Sequence, residues 1–360
     1  MLLTFFIFLI ILLVLVLSHE AGHFFTARFF GVKVEEFGFG IPPRILSLWR
    51  DAKGTLYSLN LLPFGGFVKI FGEDLPAGEA GGNEVSQPGS FGSKSAPKRA
   101  VILASGVLAN ILLAFLALTL VSGLGVPQAV SEEESSAYPD AKITIMDVAP
   151  DSPAARAGIM PGDQISGFQK MENVQDFIKQ NQGKNIPLSL IRGGKLFEIS
   201  ALSRQNPPEG EGPLGIALGL TRVKKSPWYL APADGARFTW EILKGTILGL
   251  LDLIQSLFKK EALPVEVAGP VGIFNITSSA INLGFGTLLI LIAVLSVNLA
   301  LINILPFPGL DGGRLFFILI ESLRGKRISP KTSALVHSLG LAILIILMLI
   351  VTYHDIARIF

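Results

Sequence analysis

The sequence contains no cysteine. That absence excludes disulfides, thiolate-bound zinc and a cysteine nucleophile, and it leaves any metal to histidines and carboxylates. Charge is scarce as well. Only 16% of residues are Asp, Glu, Lys or Arg, against about 25% in an ordinary soluble chain. A formal net charge of +2, with no clustered run of Lys and Arg, offers nucleic acid nothing to hold, so no nucleic-acid partner is expected. Histidine is rare too, with four in 360 residues. What abounds is apolar: hydrophobic residues make up 50% of the chain, gathered into runs long enough for lipid.

Four runs qualify as membrane spans: residues 2–30, 99–124, 285–305 and 333–353. Each holds about twenty mostly apolar residues, the length that crosses a hydrocarbon core. The first has no Lys or Arg before it, exceeds a signal-peptide core in length, and ends in a motif instead of a small-x-small cleavage site. It therefore reads as a retained span, and residues 2–23 as a helix rise about 33 Å. Residues 28–99, between the first two spans, carry nine basic residues, and Arg324, Lys326, Arg327 and Lys331 crowd the turn between the last two. Both segments are expected on the cytoplasmic side, which puts the long segment 125–284 outside. Fold class follows: a polytopic α-helical membrane protein with four transmembrane helices, a cytoplasmic-side β-hairpin region and one extracytoplasmic mixed α/β module.

Within residues 33–74, "VEEFGFGIPPRI" and "TLYSLNLLPFGGFVKIFG" read as short strands broken by Gly and Pro, lying against or dipping into the membrane. Residues 75–97 are Gly-, Ser-, Pro- and Ala-rich and read as a linker. Residues 125–222 form a compact module: a strand, a Pro-marked turn, a short helix, a Pro-Gly-Asp turn at 161–163, a helix over "MENVQDFIKQNQ" and a hairpin turning at Gly193–Gly194. The stretch "SPAARAGIMPGD" makes this module resemble a PDZ domain of the bacterial-protease type. Residues 223–284 are expected to be a linker holding an amphipathic helix at 234–260; Glu241, Lys244 and Asp252 interrupt its apolar run, so it reads as interfacial and not as a fifth span.

The chemistry sits at the end of the first span. Residues 1–18 carry no charge, and then comes His19-Glu20-Ala21-Gly22-His23. Histidines four apart project from one face of a helix. With a glutamate beside them they form the His-Glu-x-x-His pattern of two zinc ligands and a general base. The competing reading is a chance match, or two histidines at the membrane interface. Three ionisable residues in one turn of an apolar helix are costly there and mark function. A catalytic zinc takes a third protein ligand. His337 and His354, in and just past the last span, read as packed or interfacial residues. Asp311 is the better candidate: it follows the third span in "NILPFPGLDGGRLFF", where Pro306, Pro308, Gly309, Gly312 and Gly313 break the helix and let a carboxylate swing toward the metal. The alternative for Asp311 is an N-cap of the following helix.

Together, HEAGH on the first span, Asn303 to Gly313 ("NILPFPGLDGG") after the third, and the PDZ-like module between the second and third resemble the site-2 protease family (M50), of the bacterial RseP-like kind. "FGFG" at 37–40, "PFGGFVK" at 63–69, "ASGVLAN" at 104–110, "VAGPVGI" at 267–273 and the terminal "VTYHDIARIF" agree with it, so that the resemblance spans nearly the whole chain. One departure is that the best-known members carry two PDZ modules and this sequence shows one. The resemblance implies that His19, His23 and Asp311 bind Zn²⁺, that Glu20 is the base, and that the chain is an intramembrane metalloendopeptidase of a bacterial cytoplasmic membrane. Its expected partners are lipid and single-span membrane proteins, such as anti-sigma factors or signal-peptide remnants.

The zinc ligands also constrain topology. If HEAGH and Asp311 share one depth, the first and third spans must run in the same direction, so one crossing lies between them; a fifth span at 236–258 would break that. A substrate helix hides its peptide bonds in its own ladder and must unwind before hydrolysis. Gly65 and Gly66 permit close backbone approach and are expected to accept the unwound stretch as an added strand, the alternative being a structural glycine turn. Asn303 is expected to hold substrate backbone, while Asn110 and Asn298 join helices. Two other classes compete with the protease. A non-catalytic PDZ-bearing scaffold has no use for Glu20 or Asp311. A zinc transporter needs acids and histidines strung across the bilayer, whereas here they gather at one depth.

Overall fold

The computed structural model describes residues 2–73, 87–131, 138–208, 210–259, 269–326 and 328–357. Most of the expected linker at 75–97, the first two residues of "VAGPVGI", Arg327 and the last three residues of the chain lie outside the described residues. The chain begins α1 (Leu2–Phe29), β1 (Val34–Arg50), β2 (Leu56–Ile70), α2 (Ala96–Leu124). It continues β3 (Val126–Val130), β4 (Lys142–Val148), α3 (Pro153–Arg156), β5 (Gln164–Ile165), α4 (Met171–Gln180), β6 (Asn185–Arg192), β7 (Lys195–Leu202), β8 (Ile216–Lys224). It ends α5 (Ala231–Lys259), α6 (Pro270–Leu283), α7 (Phe285–Ile304), α8 (Asp311–Arg324), α9 (Pro330–Ala357). Among the described residues, α1, α2, α7 and α9 are the four helices long and apolar enough to cross a membrane. Four such helices make this a multi-pass membrane protein. α5 is 29 residues long but does not qualify, in keeping with the charges that interrupt it. α6 occupies part of the expected linker.

Contacts divide the chain into two units: Met1–Leu118 with Gly235–Asn275 and Leu291–Phe360, and Thr119–Asp234 with Ile276–Ile290. In the first unit the helices meet through small and polar residues, as expected where lipid removes the hydrophobic drive for helix association. Ser18 Oγ donates to the Ala109 carbonyl (3.2 Å), and Ser296 Oγ to the Asn110 carbonyl (2.9 Å). Thr246 Oγ1 donates to Asn298 Oδ1 at 3.2 Å, so Asn298 does join helices. At the end of α9, Asp355 Oδ2 accepts the Gly272 N–H (2.8 Å) in the first turn of α6.

β1 and β2 are longer than the short strands expected, and they pair in pieces. Residues 34–41 pair with 62–70, residues 44–50 with 56–60, and residues 36–39 also lie beside 56–59. The bends between pieces fall at Pro42–Pro43 and around residue 61, and Pro fits there because it cannot donate to a ladder. The root of this sheet is buried: Val34, Phe37 and Ile70 pack with Phe24 and Ala27 of α1, Ile102 and Leu103 of α2 and Ile318 of α8. Its far end exposes Ile41, Ile45, Leu46, Leu48, Trp49, Leu61 and Leu62.

The second unit is built on a six-stranded sheet of order β3-β8-β4-β5-β6-β7. Ile143, Ile145, Ile165, Ile186, Leu188 and Leu190 of the sheet close over Val174 and Ile178 of α4. Local chemistry sets its turns. Ser152 caps α3 by accepting the Ala155 N–H, with Pro153 at the first helical position. Gly193 and Gly194 both take positive φ, as a two-residue hairpin of this type requires. Asp163 of the Pro-Gly-Asp turn is fully buried and neutralised by Arg192, with contacts of 2.5 and 2.6 Å. A buried charge held in a bidentate pair is satisfied, so this residue serves the fold.

Candidate active site

Apart from Phe24, the buried residues of α1 form one stripe: Phe8, Ile11, Leu15, His19, His23, Ala27. Successive members are three or four residues apart, so one face of the helix enters the protein and the two histidines belong to it. Opposite them lies α2, whose Gly106 leaves no space for a side chain: a Cβ there would stand 2.7 Å from His19 Cε1 and 2.8 Å from His23 Cε1. Gly22 of the same motif likewise faces the Ser105 backbone, with a Cβ only 2.9 Å from the Ala109 methyl. Glycine on both sides lets the helices close around two imidazoles.

Asp311 enters from the other end of the sequence. α7 stops at Ile304, a Pro- and Gly-rich turn follows, and α8 begins at Asp311 itself. The N-cap position is Leu310, which makes no side-chain cap. Asp311 therefore stands one residue inside the helix, and its carboxylate faces the histidines. Its Oδ2 lies 2.9 Å from His19 Nε2 and 3.1 Å from His23 Nε2, and the two Nε2 atoms are 3.2 Å apart. His19, His23 and Asp311 are the group of at least three potential ligands found among the described residues; His337 and His354 are not in it.

These three atoms fit a zinc ion. Ligands at about 2.0–2.1 Å around a tetrahedral ion stand about 3.3 Å from one another. His23 Nδ1–H donates to the Ile102 carbonyl (2.8 Å), which turns the lone pair of Nε2 toward Asp311. A lone pair and a carboxylate oxygen facing each other at this distance call for a cation between them. The donor set, two imidazole nitrogens and one carboxylate oxygen, suits zinc with a position left open.

Two cavities flank the cluster. One, of about 230 Å³, is lined by Val16, His19, Glu20, Leu299, Asn303 and Asp311. The other, of about 210 Å³, is lined by His19, Glu20, His23 and Asp311 together with Phe67, Val68, Ile70, Glu73 and Arg314. Glu20 faces both. Asn303 lines the first. Gly66 lies against α1 beside Val16 and Leu17, one turn before the motif, while Gly65 takes a positive φ beside Ile41 and does not line either cavity.

Four neighbours were not anticipated. Gly106 shapes the space around both imidazoles, and its only sequence signal is the small-residue stretch "ASGVLAN". The Ile102 carbonyl orients His23, and no side-chain pattern announces a backbone carbonyl. Glu73 and Arg314 form an ion pair at the wall of the second cavity; Arg314 stands one helical turn after Asp311.

The Peptidase family M50 profile matches residues 7–347. The chain is 29% identical over 431 residues to the regulator of sigma-W protease RasP of Bacillus subtilis, covering 98% of each. It is also 29% identical over 438 residues to the zinc metalloprotease RasP of Oceanobacillus iheyensis, again covering 98% of each. The chain belongs to peptidase family M50, a family of zinc metalloproteases.

Proposed function

We propose that this protein is an intramembrane endopeptidase that cuts the transmembrane segments of single-span membrane proteins. The observation that carries the reading is the meeting of His19, His23 and Asp311 beside Glu20, near the end of a helix long and apolar enough to cross a membrane. Zinc held by these three side chains supplies Lewis acidity toward the scissile carbonyl and lowers the pKa of a water toward about 7. The Glu20 carboxylate takes the proton of the attacking water and later delivers it to the leaving amide nitrogen. Asn303, lining the cavity with Glu20, offers an amide to the substrate backbone.

The β2 segment supports the strand-addition reading. Residues 62–70 pair along one edge with residues 34–41, and Phe67, Val68 and Ile70 line the cavity that holds the cluster. An unwound substrate laid along residues 65–70 reaches the site through main-chain hydrogen bonds. The glycine at 66 keeps β2 close to α1 there. The apolar far end of this sheet is suited to lipid contact.

The basic residues around the sheet favour a cytoplasmic position for residues 28–99 and an extracytoplasmic one for residues 125–222. We read the latter, on "SPAARAGIMPGD" and the helix and hairpin that follow, as a PDZ module that meets substrates outside. The membrane is then a bacterial cytoplasmic membrane, and substrates are anti-sigma factors or signal-peptide remnants. The sigma-W connection in the name of the Bacillus subtilis relative supports the first class.

The test is the position of the cut. The protein is reconstituted in liposomes with a single-span substrate lacking its ectodomain, and the products are mapped by mass spectrometry. Scission within the apolar span is expected. Scission confined to flanking segments, or none by a zinc-loaded protein on several substrates, contradicts the reading; the second outcome leaves a peptide-binding scaffold.

A further inference from the structure

We infer that His337 is a positioning residue: through the backbone of Gly309 it sets where Asp311 stands against the two histidines. The inference rests on the reading of Asp311 as a metal ligand and adds the means by which that ligand is held.

The turn that carries Asp311 is closed by its own backbone only in part. Phe307 N–H donates to the Leu305 carbonyl (2.7 Å) and Leu310 N–H to the Phe307 carbonyl (3.2 Å). Gly309 N–H, two residues before Asp311, donates instead to His337 Nδ1 of α9 at 3.0 Å. The same imidazole packs edge-on against Phe317 of α8, with ring centroids 5.1 Å apart. One side chain thus touches both the turn before Asp311 and the helix after it.

The backbone of α9 closes on the same turn. Gly309 takes φ +95°, and a Cβ there would stand 3.0 Å from Leu341 N. Gly340 faces the Pro308 carbonyl with no room for a side chain, since its Cβ would fall 2.5 Å from Pro308 Cβ. Elsewhere α9 leaves most of its large apolar side chains exposed, among them Leu339, Ile343, Ile346 and Ile350. The histidine and the glycine are therefore where this helix grips the Asp311 turn.

The chemistry of the contact makes it testable. A backbone N–H can only donate, so Nδ1 is the acceptor and the ring proton is on Nε2. Asparagine places its amide oxygen near the position of Nδ1. Glutamine extends to the position of Nε2 and misses it, and leucine accepts nothing.

The measurement is the zinc dissociation constant of the full-length protein in detergent, by competition with a chelator, beside kcat and KM on a single-span substrate. Groups that orient a metal ligand typically change affinity by about 10–100-fold when removed. His337→Leu and His337→Gln are expected to weaken zinc within that range and to lower kcat more than they raise KM. His337→Asn should return zinc affinity to within about threefold of the parent. Gly340→Ala, which pushes the turn while leaving the histidine in place, should weaken zinc as well. Asp311→Ala is the reference. If Asp311→Ala leaves zinc affinity unchanged, the ligand reading fails and this inference with it. If Asp311→Ala weakens zinc but His337→Leu and Gly340→Ala do not, the ligand reading stands and the positioning role is overturned. If asparagine is no better than leucine in proteins of equal thermal stability, the hydrogen bond is not the means, and the inference is overturned too.

Discussion

Glu20, His19 and His23 share one turn of α1, yet the structure asks different things of them. The histidines belong to the buried stripe and face α2, while Glu20 opens onto both cavities. These residues were legible because chemistry limits the choice. With no cysteine and four histidines, few sets of ligands can be written, and a charged turn on an apolar helix is hard to explain otherwise. Gly106 was not legible in the same way, since a glycine acquires a role only from what packs on it. Gly106→Ala places a methyl group where the two imidazoles lie. Overpacking of this kind costs about 1–3 kcal/mol, and here the groups that must yield are the proposed ligands. The variant is expected to lose zinc affinity along with thermal stability. Zinc stoichiometry after dialysis checks it, and full occupancy with unchanged melting would show that the imidazoles do not depend on this space.

At the scale of elements, two long-range contacts do work that no local pattern reveals. The Glu73–Arg314 pair ties the turn after β2 to α8 at the wall of the cavity. If β2 receives the substrate, breaking the pair displaces the receiving edge and leaves the metal ligands alone. Arg314→Glu is expected to raise KM by roughly tenfold, about 1.4 kcal/mol, with zinc still bound. Exchanging the two charges, Glu73→Arg with Arg314→Glu, should recover most of it. An unchanged KM in steady-state kinetics would detach the pair from substrate binding. The second contact explains α6. Its first turn is capped by Asp355, a residue 83 positions downstream of Gly272. The usual side-chain signal at a helix start is therefore missing, and residues 261–284 looked like linker. Asp355→Ala removes the cap and should cost about 0.5–2 kcal/mol, read as a lower melting temperature; an unaltered melting curve would show that α6 does not rely on this cap. The cap joins "VAGPVGI" to "VTYHDIARIF", two segments that agree with the family resemblance in the sequence without any sign there that they meet.

For the whole molecule, the spans were the most legible feature, because lipid imposes length and composition together. α1, α2, α7 and α9 fall close to the four stretches named from the sequence. The β region was less so: Pro42–Pro43 and the glycines suggested short strands, whereas pairing in pieces makes two long bent ones. β3 and β8 carried no signal strong enough to name, since β8 earns its place only by inserting between β3 and β4. Sidedness can be measured directly, since the chain offers no competing thiol. Single cysteines at Lys53 and Lys179 should react with an impermeant reagent from opposite sides of sealed vesicles, Lys53 from the cytoplasmic side. Labelling of both from one side would remove the topology on which the single crossing between α1 and α7 depends. The most direct test of the central claim compares the parent protein with Glu20→Gln, measuring bound zinc and cleavage of a single-span substrate on the same samples. A general acid–base group contributes about 10²–10⁴-fold. The account predicts equal zinc in both and cleavage lower by that factor in the variant. Equal cleavage by both would contradict it, because the proton would then be moved by another group.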